Sequence, residues 1–403
     1  MTPRSIALAA ALAFALTAAI SAQAPEAART PRAAASSGRT HEARSLSTDR
    51  LQRVGELIDR RIAAKDISGA VTLVAQGGRI VHFDARGLMD IESKKPMTKD
   101  ALFYIASMTK PVTTVAVLML AEEGRLRLTD PVSRFVPAFK DLTVKSSGGA
   151  PVAAARQITL RDLLTHTSGI DSPPRIPTEP TETLARFLPP FAATPLEFQP
   201  GTRWAYSNTV AFDLLARIVE IASGESYDRF LRERIFQPLG MKDTMHTVDG
   251  ARAARVATSY EVSPSGLRRL VREDPPGYFG GGWGLKSTAE DYLRFAQMLL
   301  NRGELDGRRL LGPRSVELMS TVHIPDTLPG RRPGEGWGLG VRVISDFGAR
   351  GTWLSNGSFG WSGARGTHFW VDPESDLVAI LMVQTPAAAL SADFDTAVMQ
   401  AVH

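Results

Sequence analysis

Cysteine is absent from the 403-residue chain. Its absence excludes disulfides, thiolate metal sites, a cysteine nucleophile and a lipoprotein anchor. Histidine is scarce, with 7 residues and no His-x-x-x-His pair, so we expect no metal site. The 47 basic residues nearly balance the 42 acidic ones, and no basic run is interleaved with aromatic residues. We therefore expect no nucleic-acid partner.

The N-terminus has the layout of a secretory signal peptide over residues 1–24. An apolar run, residues 6–20, follows Arg4 and is succeeded by small residues up to Ala24. At about 15 residues the run is short for a membrane span, although an uncleaved anchor is the alternative interpretation. We expect a periplasmic or secreted protein with no stable membrane anchor after signal removal. Residues 25–47 show no apolar periodicity and are predicted to form a disordered leader.

Both ends of the remaining chain predict helices and antiparallel strands. Residues 51–62 have helical apolar spacing, and residues 68–81 alternate around Gly77-Gly78, which indicates a hairpin. Near the C-terminus, residues 338–344, 367–372 and 377–383 are strand-like, and residues 388–402 form a final helix. We predict an α/β fold, an antiparallel sheet flanked by helices and built from both ends of the chain.

The middle of the chain predicts a mainly helical lobe over residues 127–280. Thr159 has the capping pattern of a helix start, and residues 210–223 form a helix closed by Gly224. Ser287, three residues before Glu290, has the same capping pattern for a later helix. The Pro-rich residues 173–200 form an irregular excursion that we expect to line a site. Residues 48–126 and 281–403 are then the two parts of the α/β lobe.

Ser107 and Lys110 are the first candidate site residues. Residues three apart on a helix lie on one face with Cβ atoms about 5–6 Å apart, so the amine can reach the hydroxyl. A serine alcohol is a weak nucleophile until a base accepts its proton. Pro111 is tolerated only near a first helical turn, which places Ser107 beside the positive end of the helix dipole. Alone, the pair is weak evidence, because a helix-capping serine and a solvated lysine are the more common explanation, so the rest of the chain must decide.

Further motifs provide that context. A Pro-Gly turn at residues 200–201 precedes Tyr206, Ser207 and Asn208, and Trp361-Ser362-Gly363 lies near the C-terminal strands. A Gly-x-Ser-x-Gly elbow is absent, because Ala364 occupies the last place of residues 360–364.

Two histidines offer rival interpretations. Ser168 lies beside His166, which suggests a Ser-His-Asp triad, but the spacing is more typical of a turn network at a helix end. His368 lies between probable strand residues and is interpreted as structural.

Taken in order, these motifs resemble those of the serine β-lactamase and penicillin-binding protein superfamily, on the class C branch that includes the family VIII carboxylesterases. The resemblance covers roughly residues 50–400 and implies a β-lactamase/DD-peptidase-like fold with no metal and no organic cofactor. It implies the following roles: Ser107 as nucleophile, Lys110 and Tyr206 as proton acceptors, the Ser107 and Ala364 amides as oxyanion hole, and Asn208, Trp361, Ser362 and Gly363 as substrate-binding residues.

Trp361 is the departure from the family pattern that affects the choice of substrate. The family has a Lys or His at this place, where a cation helps to hold a substrate carboxylate, and tryptophan cannot do so. We therefore expect a serine hydrolase that forms an acyl-enzyme with a small ester, with water as the final acceptor. A class C-type β-lactamase or DD-peptidase is the alternative. A third possibility is a catalytically silent relative that binds cell-wall fragments or a partner. The oligomeric state stays open.

Overall fold

The computed structural model describes residues 45–170, 183–271 and 277–403. The predicted signal peptide, most of the predicted leader and the first part of the Pro-rich excursion lie outside these residues. Leu46 forms an antiparallel bridge with Val402, and the Ser47 hydroxyl accepts a hydrogen bond from the amide of Arg50. The described chain is therefore hydrogen-bonded from its first residues onward. The division into lobes at residues 126 and 280 stays a prediction.

The α-helices of the described residues range from one short turn to 16 residues. They are α1 (Thr48–Ala63), α2 (Thr109–Glu122), α3 (Leu160–Leu164), α4 (Leu184–Phe187), α5 (Val210–Ser223), α6 (Tyr227–Leu231), α7 (Gln237–Leu239), α8 (Gly250–Ala253), α9 (Ala289–Leu300), α10 (Pro313–Ser320), α11 (Phe347–Arg350) and α12 (Leu390–Met399). Short 3-10 turns occupy Ala106–Met108, Val132–Arg134, Pro137–Phe139 and Pro189–Ala193, and Arg232–Phe236 is a π-helical turn. None of these helices combines the length and the apolarity needed to cross a bilayer.

The strands fall into one large sheet and several two-stranded ladders. They are β1 (Gly69–Gln76), β2 (Arg79–Asp90), β3 (Lys95–Pro96), β4 (Phe103–Tyr104), β5 (Thr143–Val144), β6 (Val152–Ala153), β7 (Tyr260–Ser263), β8 (Gly266–Arg269), β9 (Lys286–Ser287), β10 (Glu304–Leu305), β11 (Arg308–Arg309), β12 (Glu335–Trp337), β13 (Arg342–Ile344), β14 (Phe359–Ser362), β15 (His368–Asp372) and β16 (Leu377–Met382).

The large sheet has eight strands in the order β12-β13-β14-β15-β16-β1-β2-β3, and all of its pairs are antiparallel. β1 pairs with β16 in the register that runs from Val71 opposite Met382 to Gln76 opposite Leu377. Strands from the two ends of the chain therefore lie side by side at the centre of the sheet. This arrangement confirms the predicted antiparallel sheet built from both ends.

The sheet is covered on both faces, which explains why β16 is apolar throughout. Successive side chains of a strand point to opposite faces. Val378, Ile380 and Met382 belong to the core that includes α2 and α9, whereas Leu377, Ala379 and Leu381 belong to the core under α1 and α12. The predicted terminal helices thus pack together on one face of the sheet.

Two local predictions are wrong. Residues 338–344 do not form one strand, because β12 and β13 are the arms of a hairpin and Gly340 adopts φ +68° in the turn between them. Helix α9 is capped by Thr288 rather than Ser287, since the Thr288 hydroxyl accepts the amide hydrogen bond of Asp291. The helix over Val210–Ser223, ended by Gly224 in the left-handed conformation, is confirmed, as is the capping box at Thr159.

The buried carboxyl of Asp291 is expected to make the stability of the protein depend on pH. Burial raises the pKa of its carboxyl to about 6, although it accepts hydrogen bonds from the Asp243 amide and the Thr244 hydroxyl. A raised pKa means that the folded protein holds this proton more tightly than the unfolded chain, so stability falls as pH rises from about 4 through about 6. The variant Asp291→Asn would keep an acceptor oxygen at this place without the charge.

We therefore expect the Asp291→Asn variant to gain about 2 kcal/mol relative to the wild type between pH 4 and pH 7.5. Urea unfolding of both proteins at the two pH values measures this difference. A difference in the free energy of unfolding that does not change with pH would contradict the assignment.

Candidate active site

Ser107 lies in the 3-10 turn Ala106–Met108, directly before α2. It is partly exposed, while the residues on either side are buried. Ala106 adopts φ +46°, a left-handed conformation that costs energy for any residue with a Cβ atom. Such strain is tolerated where the surrounding structure enforces it, and it is common next to functional groups. The turn presents the serine hydroxyl at the start of a buried helix.

Lys110 is completely buried one turn further on. Its Nζ is 3.2 Å from the Ser107 Oγ, 2.6 Å from the backbone oxygen of Asn208 and 2.9 Å from that of Gly282. An ammonium has three donors and could donate to all three oxygens. A neutral amine would give its two hydrogens to the carbonyls, which are nearer, and direct its lone pair at the serine hydroxyl. The geometry therefore fits both the acid and the base form of a proton-transferring lysine.

Asp213 holds the loop that supplies the Gly282 carbonyl. Its carboxylate accepts hydrogen bonds from the Gly282 amide at 2.9 Å and from the Tyr278 hydroxyl at 2.8 Å. Burial raises the pKa of Asp213, while these hydrogen bonds and the charge of Lys110 act in the opposite direction. Sequence reasoning missed this residue. Its one signal was an acidic side chain within the apolar stretch of α5.

Glycine is required at residue 281 for this packing. A Cβ atom on Gly281 would lie 2.3 Å from the backbone oxygen of Phe212 on α5. The absence of a side chain lets the loop approach α5 closely, and Gly282 then presents its oxygen to Lys110.

Tyr206 lies among aromatic rings next to Lys110. The lysine Nζ is 5.0 Å from the centroid of its ring, and the indole of Trp361 donates from Nε1 to the Tyr206 hydroxyl oxygen at 3.0 Å. Trp337 packs edge-on against Trp361 with ring centroids 4.6 Å apart. Trp361 thus supplies a hydrogen-bond donor to the phenol oxygen, although it carries no charge.

His166 packs within this cluster and anchors the Tyr206 segment. Its Nδ1 accepts a hydrogen bond from the Ser207 amide at 3.0 Å, and its ring lies 4.5 Å from that of Tyr206. Burial, and then the charge of Lys110, hold the pKa of His166 well below its ordinary value, so the ring stays neutral. The neighbouring Ser168 hydroxyl accepts from the Ile170 amide. These contacts are those of a turn network, the interpretation favoured over a triad.

The end of β14 is pressed against the nucleophile segment. A Cβ atom on Gly363 would lie 2.4 Å from the backbone oxygen of Ile105, two residues before Ser107. Only glycine fits this approach. Ala364 follows in an exposed turn, so its amide lies beside the strand end that contacts the segment leading to Ser107. Trp361 and Ser362 are both partly exposed on the same strand, and as neighbours they point to its opposite faces. The substrate-binding role of Ser362 stays a prediction.

Asn208 contributes its backbone to the site, because its side chain is exposed and its carbonyl accepts from Lys110. The Asn208→Ala variant keeps that carbonyl. We expect kcat to change less than about threefold and KM to change more. A group that only binds substrate stabilises the bound substrate and the transition state equally, so its loss leaves kcat unchanged. Steady-state kinetics on a p-nitrophenyl ester measure both constants. A fall of kcat by two orders of magnitude would show that the amide side chain itself takes part in the chemistry.

The fold and these contacts define a serine hydrolase, in which a serine on a strained turn is paired with a buried lysine that lies against a tyrosine ring. Sequence comparison agrees with that class. The beta-lactamase family model matches residues 54–403, and the chain belongs to this family. Among the described residues, no group of three or more His, Cys, Asp or Glu side chains is placed to hold a metal ion.

Relatives and solved structures cover most of the chain. Rv1367c of Mycobacterium tuberculosis is 36% identical over 79% of this chain and 86% of its own length. Esterase EstB of Burkholderia gladioli is 31% identical over 87% of this chain and 94% of its own length. Among solved structures, EstCE1, described as a hydrolase with promiscuous acyltransferase activity, has a TM-score of 0.77 at 26% identity and covers 87% of this chain and 99% of its own.

Proposed function

We propose that the protein is a carboxylesterase that cleaves small neutral esters through an acyl-enzyme on Ser107. The observation that carries the proposal is the 3.2 Å contact between Ser107 Oγ and the buried Lys110 Nζ. Ser107 Oγ attacks the ester carbonyl, its proton passes to Lys110 or Tyr206, and the alcohol leaves with a proton from the same pair. Water then attacks the acyl-serine and releases the acid.

The proton path runs between Lys110 and Tyr206. With Lys110 as the neutral amine, its lone pair accepts the serine proton, and the two backbone carbonyls of Asn208 and Gly282 stabilise the ammonium that forms. The Trp361 indole holds the Tyr206 hydroxyl oxygen by its own N–H. Any negative charge that develops on that oxygen during transfer is stabilised by this donor.

Trp361 also supports the choice of an ester over a penicillin or a D-alanyl peptide. Those substrates carry a carboxylate, which a cationic side chain at this place would attract, whereas an indole offers an apolar surface and one N–H. In this structure the indole N–H already donates to the Tyr206 hydroxyl oxygen. The relatives that carry esterase or hydrolase names, EstB and EstCE1, support the same choice.

The test combines three reagents with two variants. Wild type, Ser107→Ala and Ser168→Ala are each incubated with p-nitrophenyl butyrate, nitrocefin and a fluorophosphonate. We expect the wild type and Ser168→Ala to hydrolyse the ester and to be labelled at Ser107, and Ser107→Ala to lose ester turnover. Ser168→Ala is the matched control because Ser168 is the rival serine near a histidine.

Three outcomes would overturn the proposal. Ester hydrolysis by Ser107→Ala at the wild-type rate would exclude Ser107 as nucleophile. Rapid nitrocefin turnover without ester cleavage would favour the β-lactamase alternative. A folded wild type that neither turns over substrate nor reacts with the fluorophosphonate would indicate a silent binding relative.

We also propose that the protein is exported, on the strength of Arg4 and the apolar residues 6–20. Expression of the full chain in a Gram-negative host, followed by fractionation and mass spectrometry of the N-terminus, tests this. A periplasmic protein shortened near Ala22 or Ala24 is the expected result. A full-length protein that stays in the cytoplasm would contradict export.

A further inference from the structure

A second serine of the chain ends a hydrogen-bonded row of three side chains. The Ser362 Oγ lies 2.8 Å from His368 Nδ1, and His368 Nε2 lies 3.0 Å from the Asp395 Oδ1. His368 is 1% exposed and Asp395 7% exposed, while Ser362 is partly exposed. The row therefore leads from two buried groups to a serine that is partly exposed.

The position of the protons follows from the chemistry of the three groups. A carboxylate only accepts hydrogen bonds, so His368 Nε2 carries the proton and donates to Asp395. In the neutral ring Nδ1 then has a lone pair, and the Ser362 hydroxyl donates to it. This is the order of nucleophile, base and orienting carboxylate that activates a serine in hydrolases of several folds.

The row lies on the face of β14 opposite to Trp361. Ser362 and His368 are directly opposite each other on β14 and β15, and Asp395 comes from α12. Adjacent residues of a strand point to opposite faces, so Ser362 points away from the face where Trp361 contacts Tyr206. On that other face, Trp370 of β15 packs in the core under α1 and α12. Neither His368 nor Asp395 is used by the proposed esterase mechanism.

We propose that Ser362 is a second nucleophile, activated by His368 and Asp395, that is acylated by small activated esters. With p-nitrophenyl acetate, the Ser362 Oγ forms a bond to the acetyl carbon, and the hydroxyl proton passes to His368 Nδ1. The bond from the acetyl carbon to the phenolic oxygen breaks, and the proton leaves with the phenolate. The products are O-acetyl-Ser362 and p-nitrophenol, and the imidazolium formed in between is stabilised by Asp395.

The reaction is expected to be slow, because one donor that such sites use is already engaged. In many serine hydrolases the amide after the nucleophile stabilises the oxyanion. Here the Gly363 amide donates to the Thr367 carbonyl at 2.7 Å. Loss of one such donor lowers rates by about 10²–10³-fold. Ser362 should therefore react that much more slowly than Ser107.

The test removes the faster nucleophile. The Ser107→Ala protein is treated with diisopropyl fluorophosphate, whose P–F bond breaks as the serine oxygen attacks, and the labelled peptide is located by mass spectrometry. We expect label on Ser362 at a rate about 10²–10³-fold below that of Ser107 in the wild type. Adding Ser362→Ala should remove this label, and adding Asp395→Asn or His368→Gln should slow it by at least about tenfold.

Circular dichroism and thermal melting establish that each double variant is folded. If the His368→Gln variant does not fold, Asp395→Asn, which preserves the shape of the side chain, tests the row in its place. A folded Ser107→Ala protein without label at Ser362 would overturn the proposal, and the three side chains would then be only a tether between β14 and α12. Unchanged labelling in Asp395→Asn would overturn the role of the row. Labelling of Ser107 is measured separately in the wild type. Absence of label on Ser362 would therefore leave the proposed esterase function unaffected.

Discussion

Replacing Lys110 with methionine is expected to lower kcat/KM for a p-nitrophenyl ester by about 10²–10⁴-fold, the usual contribution of a positioned general base. Methionine matches the length and apolar body of the lysine side chain but has no group that can accept the Ser107 proton. The loss should appear in the acylation step, so a stopped-flow experiment should show that release of the first nitrophenol is slow.

The same change has a structural cost that must be measured beside the kinetics. The Asn208 and Gly282 carbonyls lose the donor that satisfies them, and each unsatisfied buried acceptor costs about 1–3 kcal/mol. Lys286→Met is the matched control. Lys286 is also buried and donates to a backbone carbonyl, that of His246, at 2.6 Å. We expect it to lose stability in urea with little loss of kcat/KM. Equal losses of activity in the two variants would mean that Lys110 acts only through the fold.

Replacing Tyr206 with phenylalanine is expected to lower kcat by about 10²–10⁴-fold while KM changes little. The ring and its contacts with His166 and Lys110 remain, but the hydroxyl that can pass a proton is lost. The Trp361 N–H then loses this acceptor.

The Trp361→Phe variant tests the indole donor separately from the tyrosine hydroxyl. It keeps the tyrosine hydroxyl and removes one donor to it, which should cost about 1 kcal/mol, or roughly fivefold in kcat. Single-turnover measurements on Tyr206→Phe, Trp361→Phe and the wild type compare the effects. If Trp361→Phe were as slow as Tyr206→Phe, the indole would be essential to the chemistry rather than a support for the phenol.

Local patterns predicted the elements that depend on few neighbours. The helix ended by Gly224 and the strands around residues 373–376 could be read from spacing and turn residues alone. The hairpin of β12 and β13 could not, because its turn residues also fit a continuous strand and the choice depends on pairing with β14.

Prediction of the active site from local sequence was limited in the same way. The spacing of Ser107 and Lys110 predicted their contact, since both lie within one helical turn. The carbonyls that surround Lys110 come from residues 98 and 172 positions away, and no local pattern indicates a backbone oxygen as a partner. His368 was interpreted as structural from its place between strand residues. Its partners, Ser362 on the next strand and Asp395 on a terminal helix, meet only in the folded sheet.

The pairing of β1 with β16 has a consequence for the order in which the protein is made. About 300 residues separate Gln76 from its partner Leu377. At a synthesis rate of about 5–20 residues per second, β1 waits roughly 15–60 s for the strand that covers its edge. Ser107 and Lys110 leave the ribosome early, but β14, which closes the site, comes near the end. A nascent chain should therefore remain inactive and dependent on chaperones until its last strands emerge.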